Sequence, residues 1–100
     1  MKRELKPIVF SQHSLLQMKL RGAKNSEVIN VIRKGKRQIA KLKRKQAKLQ
    51  FFFNKSSPIT GKKYKLKDVE VIFIEETKKI VVITVKIYYS NEEVKNEDFL

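Results

Sequence analysis

The chain has no cysteine, no tryptophan and a single histidine, His13. Without cysteine there is no disulfide, no thiolate metal site and no cysteine nucleophile, which suits a reducing interior. One imidazole among widely spaced carboxylates falls short of a zinc site, so no metal is expected. No Gly-rich phosphate loop and no paired-carboxylate motif occurs, which argues against a nucleotide- or metal-dependent enzyme and leaves no cofactor to expect. Long apolar runs are also missing. The longest, Ile80–Val85 with Thr84 inside it, is far too short to span a bilayer. Ser11, Gln12 and His13 interrupt the segment that would follow Lys2 and Arg3 in a signal peptide. These absences predict a cytoplasmic protein with no membrane partner.

Acidic residues are scarce as well: 10 Asp and Glu stand against 24 Lys and Arg, for a formal charge of +14. Their placement is uneven. Met1–Lys67 carries 20 basic and 2 acidic residues, whereas Asp68–Leu100 carries 4 basic and 8 acidic ones. The densest part, Arg33–Lys67, holds 14 cations and no acid. Nothing inside it can neutralise it, so it must face solvent, a polyanion or the acidic end of the chain. A lysine-rich solubilising surface is the plainer alternative, but such surfaces mix both signs. The one-sided footprint points to nucleic acid, with Arg33, Lys34, Lys36, Arg37, Lys41, Lys43, Arg44, Lys45 and Lys48 as the candidate contacts.

With 100 residues, 41% of them hydrophobic, the chain can build one small core and one domain, over residues 1–89. Ser11 is a good N-cap for a helix through Leu20, whose Leu15, Leu16, Met18 and Leu20 form an apolar stripe before Gly22 stops it. Ile8–Phe10 reads as a short strand or a staple onto that helix. Asn25 or Ser26 caps a second helix that buries Val28, Ile29, Val31 and Ile32 and ends at Gly35. Beyond it the period shortens. Ala47, Leu49, Phe51 and Phe53 alternate with Lys48, Gln50, Phe52 and Asn54, which is strand spacing. Ile39–Leu42 is a partner strand and Lys43–Gln46 the connection; a single basic helix over 36–50 is the rival reading. Asn54–Lys63 is a loop, and Val69–Glu75 and Ile80–Tyr89 form an antiparallel hairpin about Glu76–Lys78. In its last strand Val81, Ile83, Val85 and Ile87 should face the core. Residues 90–100 read as an acidic, frayed tail. The fold class is α+β: two N-terminal helices packed on a mostly antiparallel sheet of about four strands.

Phe10-Ser11-Gln12-His13, then Met18, Arg21-Gly22, Val28, Ile32 and Gly35-Lys36, resembles a small prokaryotic family catalogued as a domain of unknown function. Its pattern is F-S-x-H, M-x-x-R-G, a second helix ending in G-K/R, a hairpin, and a Val/Thr-rich last strand, here Val81–Val85. The resemblance covers residues 8–89. This chain departs from it at Lys24, where an acidic or polar cap is usual, in its very basic middle strands, and at Lys86-Ile87-Tyr88. The family's helix–helix–sheet order is similar to the RelE-like ribonuclease toxins, a likeness of fold. It implies an RNA-directed protein, metal-independent phosphodiester cleavage, and an acidic antitoxin as partner.

Such cleavage needs a base for the 2′-hydroxyl, an acid for the leaving oxygen and cations on the phosphate. His13 is the one side chain that ordinarily titrates near neutrality, and Arg21 offers bidentate phosphate geometry. Each also has a structural reading: His13 hydrogen-bonding a cap or strand, Arg21 complementing the C-terminal end of its helix. Glu70, Glu75, Tyr88 and Tyr89 are conceivable partners that sequence alone does not bring to His13. Phe52, on the opposite face from Phe51 and Phe53, could stack on a base. Two readings stand beside the ribonuclease: a non-catalytic nucleic-acid-binding module, and an interaction protein for an acidic partner. The oligomeric state is left open.

Overall fold

Ile8–Phe10 forms strand β1, and Ser11 turns the chain into helix α1 (Gln12–Arg21). The Ser11 hydroxyl accepts the Ser14 N–H at 3.1 Å, satisfying a donor of the first turn. Gly22 ends the helix at φ 87°, where a Cβ would stand 2.8 Å from Tyr89 Oη and 2.9 Å from Pro58 Cγ. Handedness and space therefore both demand glycine. Helix α2 (Asn25–Lys34) follows. Lys24 cannot cap it with an acceptor, so the Glu27 carboxylate takes the Lys24 backbone N–H instead, at 2.9 Å.

This computed structural model describes residues 6–91. After α2 come β2 (Lys36–Ile39), a 3-10 turn (Lys41–Lys43), β3 (Lys45–Ser56), β4 (Lys63–Glu75) and β5 (Ile80–Ser90). The basic stretch 36–50 is thus a hairpin and not a helix, with its tip near Leu42 instead of at 43–46. Leu42 and Lys43 both hold positive φ there. The loop expected over 54–63 shrinks to six residues, 57–62, because both strands extend into it.

The sheet has five strands in the order β1-β5-β4-β3-β2. Every pairing is antiparallel except β1 on β5, which is parallel through Ile8–Ile80, Val9–Val81 and Phe10–Val82. The short apolar segment before α1 therefore makes the sheet mixed and adds a strand to the expected number. Val28, Val31 and Ile32 of α2 pack with Met18 of α1 on Val69, Val71, Phe73, Val82 and Val85. One face of the sheet carries this core, and among the described residues no helix covers the other.

Two sequence expectations fail for identifiable reasons. Ile72 pairs with Thr84 but Phe73 with Val82, so Ile83 is an extra residue in β5. This bulge shifts the phase: Val82, Val85 and Ile87 face the core, and Val81 and Ile83 are only partly buried. In α1 only Ser14 and Met18 are buried, while Leu15, Leu16 and Leu20 are 45%, 55% and 62% exposed. The helix lies along β5 where β1 has ended, and an unpaired strand edge needs polar partners. Gln17 Oε1 accepts the Val85 N–H at 2.8 Å, Arg21 donates to the Val85 carbonyl at 2.8 Å, and the Ser11 hydroxyl donates to Ile83 O at 3.3 Å. The inward side of α1 is polar, so the leucines turn out. The acidic tail, apart from Ser90 in β5 and Asn91, lies outside the described residues.

Candidate nucleic-acid interface

The C-terminal turn of α2, the edge strand β2 and the hairpin tip follow one another in the chain and form one margin of the sheet. Arg33, Lys34, Lys36, Arg37, Lys41 and Lys43 are exposed there and Arg44 is half-buried. Among the described residues, Arg33, Lys34, Lys41, Lys43 and Arg44 make no ion pair. A protein lacking any polyanion partner would also place lysines on an edge strand, to prevent edge-to-edge association.

Arg37, Lys45 and Lys48 are held by acids, contrary to a wholly unneutralised segment. Glu75 at the end of β4 receives Lys45 at 2.6 Å and Arg37 and Lys6 at 3.2 Å each. Hydrogen bonds from Lys45 and Lys6 hold its carboxyl far below the usual range, at about 2. Arg37 also donates to Ile32 O, tying β2 to α2, and its guanidinium lies 5.3 Å from the Phe73 ring centroid. Lys48 lies 3.9 Å from Asp68 and 5.2 Å from the Tyr88 ring centroid. Lys67 is neutralised from the N-terminal side: buried at 3% side-chain exposure, it reaches Glu27 at 2.8 Å and the Gly22 carbonyl at 3.0 Å.

The open face carries a polar ladder that pattern reading missed. Asp68 and Glu70, both buried, stand two residues apart on β4, opposite Gln50 and Lys48 of β3. Gln50 donates to Asp68 at 2.8 Å, and Gln46 donates to Glu70. Desolvation, then the Glu70 charge beside it, raises the Tyr88 pKa; desolvation and Glu27 raise that of Tyr89. The available signal was the polar alternation Lys67-Asp68-Val69-Glu70-Val71 within a Val-rich strand. Glu70 and Tyr88 do meet, though with each other and not with His13.

A second group of cations, Lys55, Lys62, Lys63 and Lys65, lies at the far end of β3 and β4, where Lys63 and Lys65 line a recess with Asn54, Tyr64 and Asn91. The cation-rich segment is therefore divided between two ends of the sheet.

No family model, curated protein or solved structure matches this chain. Its function rests on its own geometry.

His13 is exposed in the first turn of α1 and its side chain has no hydrogen bond among the described residues. Arg21 is engaged at the β5 edge, and its carbonyl accepts the Tyr89 hydroxyl at 2.6 Å. The structure does not bring these two to the basic margin. β4 and β3 separate β5 from β2, about 14 Å at the usual spacing of neighbouring strands. Phe52 is 83% exposed on the open face, opposite in sense to Phe51 and Phe53. Among the described residues no group of His, Asp and Glu has the arrangement of a metal site, and no helix is long and apolar enough to cross a membrane.

Proposed function

We propose that this protein is RNA-directed and grips the phosphate backbone along the basic margin from Arg33 to Arg44. The observation that carries the reading is that five cations, Arg33 and Lys34 before the edge strand β2 and Lys41, Lys43 and Arg44 after it, make no ion pair among the described residues. Point charges arrayed on an edge contact phosphates without selecting bases. Binding to a labelled single-stranded RNA should weaken steeply with salt, by roughly 0.7 in log–log slope for each phosphate neutralised. Lys41→Glu and Arg44→Glu should each weaken all RNA sequences alike and flatten that slope. A slope near zero would overturn the reading.

A toxin-type, metal-independent ribonuclease is the second reading, and the exposure of His13 favours it. With no cap or strand occupying its ring nitrogens, the imidazole is accessible to a 2′-hydroxyl. Arg21 retains guanidinium donors beyond the one given to Val85. His13→Ala should abolish cleavage of the same RNA in the presence of EDTA while leaving affinity intact. Unchanged cleavage removes His13 from the mechanism, and no cleavage by the wild type leaves the binding module. An acidic antitoxin belongs to this reading as partner.

A further inference from the structure

Strand β3 outruns its neighbour. β2 pairs only with Lys45–Lys48, and among the described residues no strand stands beside Leu49–Ser56 on the side away from β4. The Ala40 N–H bond to the Arg44 carbonyl, 2.8 Å, closes the hairpin and sets its phase. Arg44, Gln46 and Lys48 turn their backbone groups toward β2, and alternation aims those of Gln50 and Phe52 the same way. A row of N–H and C=O groups facing outward is a template for one more strand.

The opposite edge shows what closure looks like in this molecule. Where β5 runs past β1, Ser11, Gln17 and Arg21 take up its free groups. No described residue does so for Gln50 or Phe52. Phe52 stands in the middle of the open stretch, 83% exposed. Cations flank it: the cross-strand pair Lys36 and Lys48, the latter also reaching Asp68, lies at one end, and Lys55 and Lys63 lie at the other, beyond the register shift that follows Phe52 at Asn54. A second copy laid antiparallel on this edge would set Lys48 toward the other copy's Lys55 and join two chains of charge +14. Like charges so placed oppose self-association.

We propose that the Gln50–Lys55 edge of β3 receives an extended acidic peptide as a sixth strand. Its backbone pairs with Gln50 and Phe52, an apolar side chain covers Phe52, and carboxylates at its two ends meet the bracketing lysines. The inference does not rest on RNA binding; the two surfaces share only Lys36.

The test uses the full chain and a fluorescein-labelled probe peptide, Glu-Glu-Val-Thr-Val-Thr-Glu-Glu. Fluorescence anisotropy should show saturable binding, and amide exchange at Gln50 and Phe52 should slow. A probe N-methylated at alternate amides should bind at least about tenfold more weakly. Phe52→Pro, which removes an outward N–H not used in the sheet, should do the same with the far-UV spectrum preserved. If that variant does not fold, Phe52→Thr keeps the strand, and the N-methylated probe alone decides. Any of four results would overturn the proposal. The first is no binding of the probe at about 1 mM. The second is equal binding of its N-methylated form, which would leave charge as the cause. The third is a peptide-free protein that sediments as a dimer dispersed by Phe52→Pro, giving the edge to a second copy. The fourth is protection of the Gln50 and Phe52 amides by single-stranded RNA and not by the peptide, giving it to stacked bases.

Discussion

Glu75 binds three cations from three segments, Lys6 before β1, Arg37 in β2 and Lys45 in β3, and its titration therefore reaches the fold. Its pKa falls from 4.5 to about 2 on folding. A carboxylate depressed in this way stabilises the native state above its unfolded pKa, and that stability is lost as pH falls through the folded one. The shift converts to about 3 kcal/mol as an upper limit, and screening of partners a third or more exposed lowers it. Glu75→Gln should cost about 1–2 kcal/mol at pH 7 in urea unfolding, and that difference should vanish between pH 4.5 and 2. Lys67 differs because it is buried. Lys67→Ala leaves Glu27 and the Gly22 carbonyl without their partner and should destabilise by about 3 kcal/mol, read as a lower urea midpoint at unchanged slope. Residue identity announced the side of the sheet on which Phe52 stands, because alternation is local. It did not announce which acid meets which base: Glu27 and Lys67 lie 40 positions apart, and only the packed helix turn joins them.

At the scale of elements, a helix laid against a strand edge obeys different demands from one laid on a sheet face. α2 covers the face and buries Val28, Val31 and Ile32 as expected, with Ile29 only partly buried. α1 follows the edge, so its inward positions are Ser14, Gln17, Met18 and Arg21, and its leucine stripe points to the wrong side. Gln17→Ala should orphan the Val85 N–H, lowering stability by about 1–2 kcal/mol and speeding exchange of that amide. Val85 is itself buried, so solvent would not replace the lost acceptor readily. The bulge at Ile83 is the same kind of lesson. Both helices and the β4–β5 hairpin were legible from periodicity and turn residues, whereas the β2–β3 hairpin stood against a rival helix and its first strand and tip fall earlier than expected. One added residue, invisible without its partner strand, reversed the phase of Val81 and Val82.

For the whole molecule, charge that is contiguous in sequence divides in space. β3 carries one set of cations at the hairpin tip and another beyond its far end, and its 12 residues span roughly 40 Å when extended. If the Arg33–Arg44 margin is the RNA-binding surface, reversing Lys62, Lys63 and Lys65 together should change affinity much less than reversing Lys41, Lys43 and Arg44. Competition by the same labelled RNA at two salt concentrations measures both. The parallel pairing of β1 has its own consequence, in time. Ser11 meets Ile83 across 72 positions, and β1 can join the sheet only after β5 exists. At ordinary rates of synthesis the first strand waits roughly 4–14 s for its partner. Ile8, Val9 and Phe10 are made well before their partner, and stay apolar and unpaired in the sheet until Ile80–Val82 has followed them.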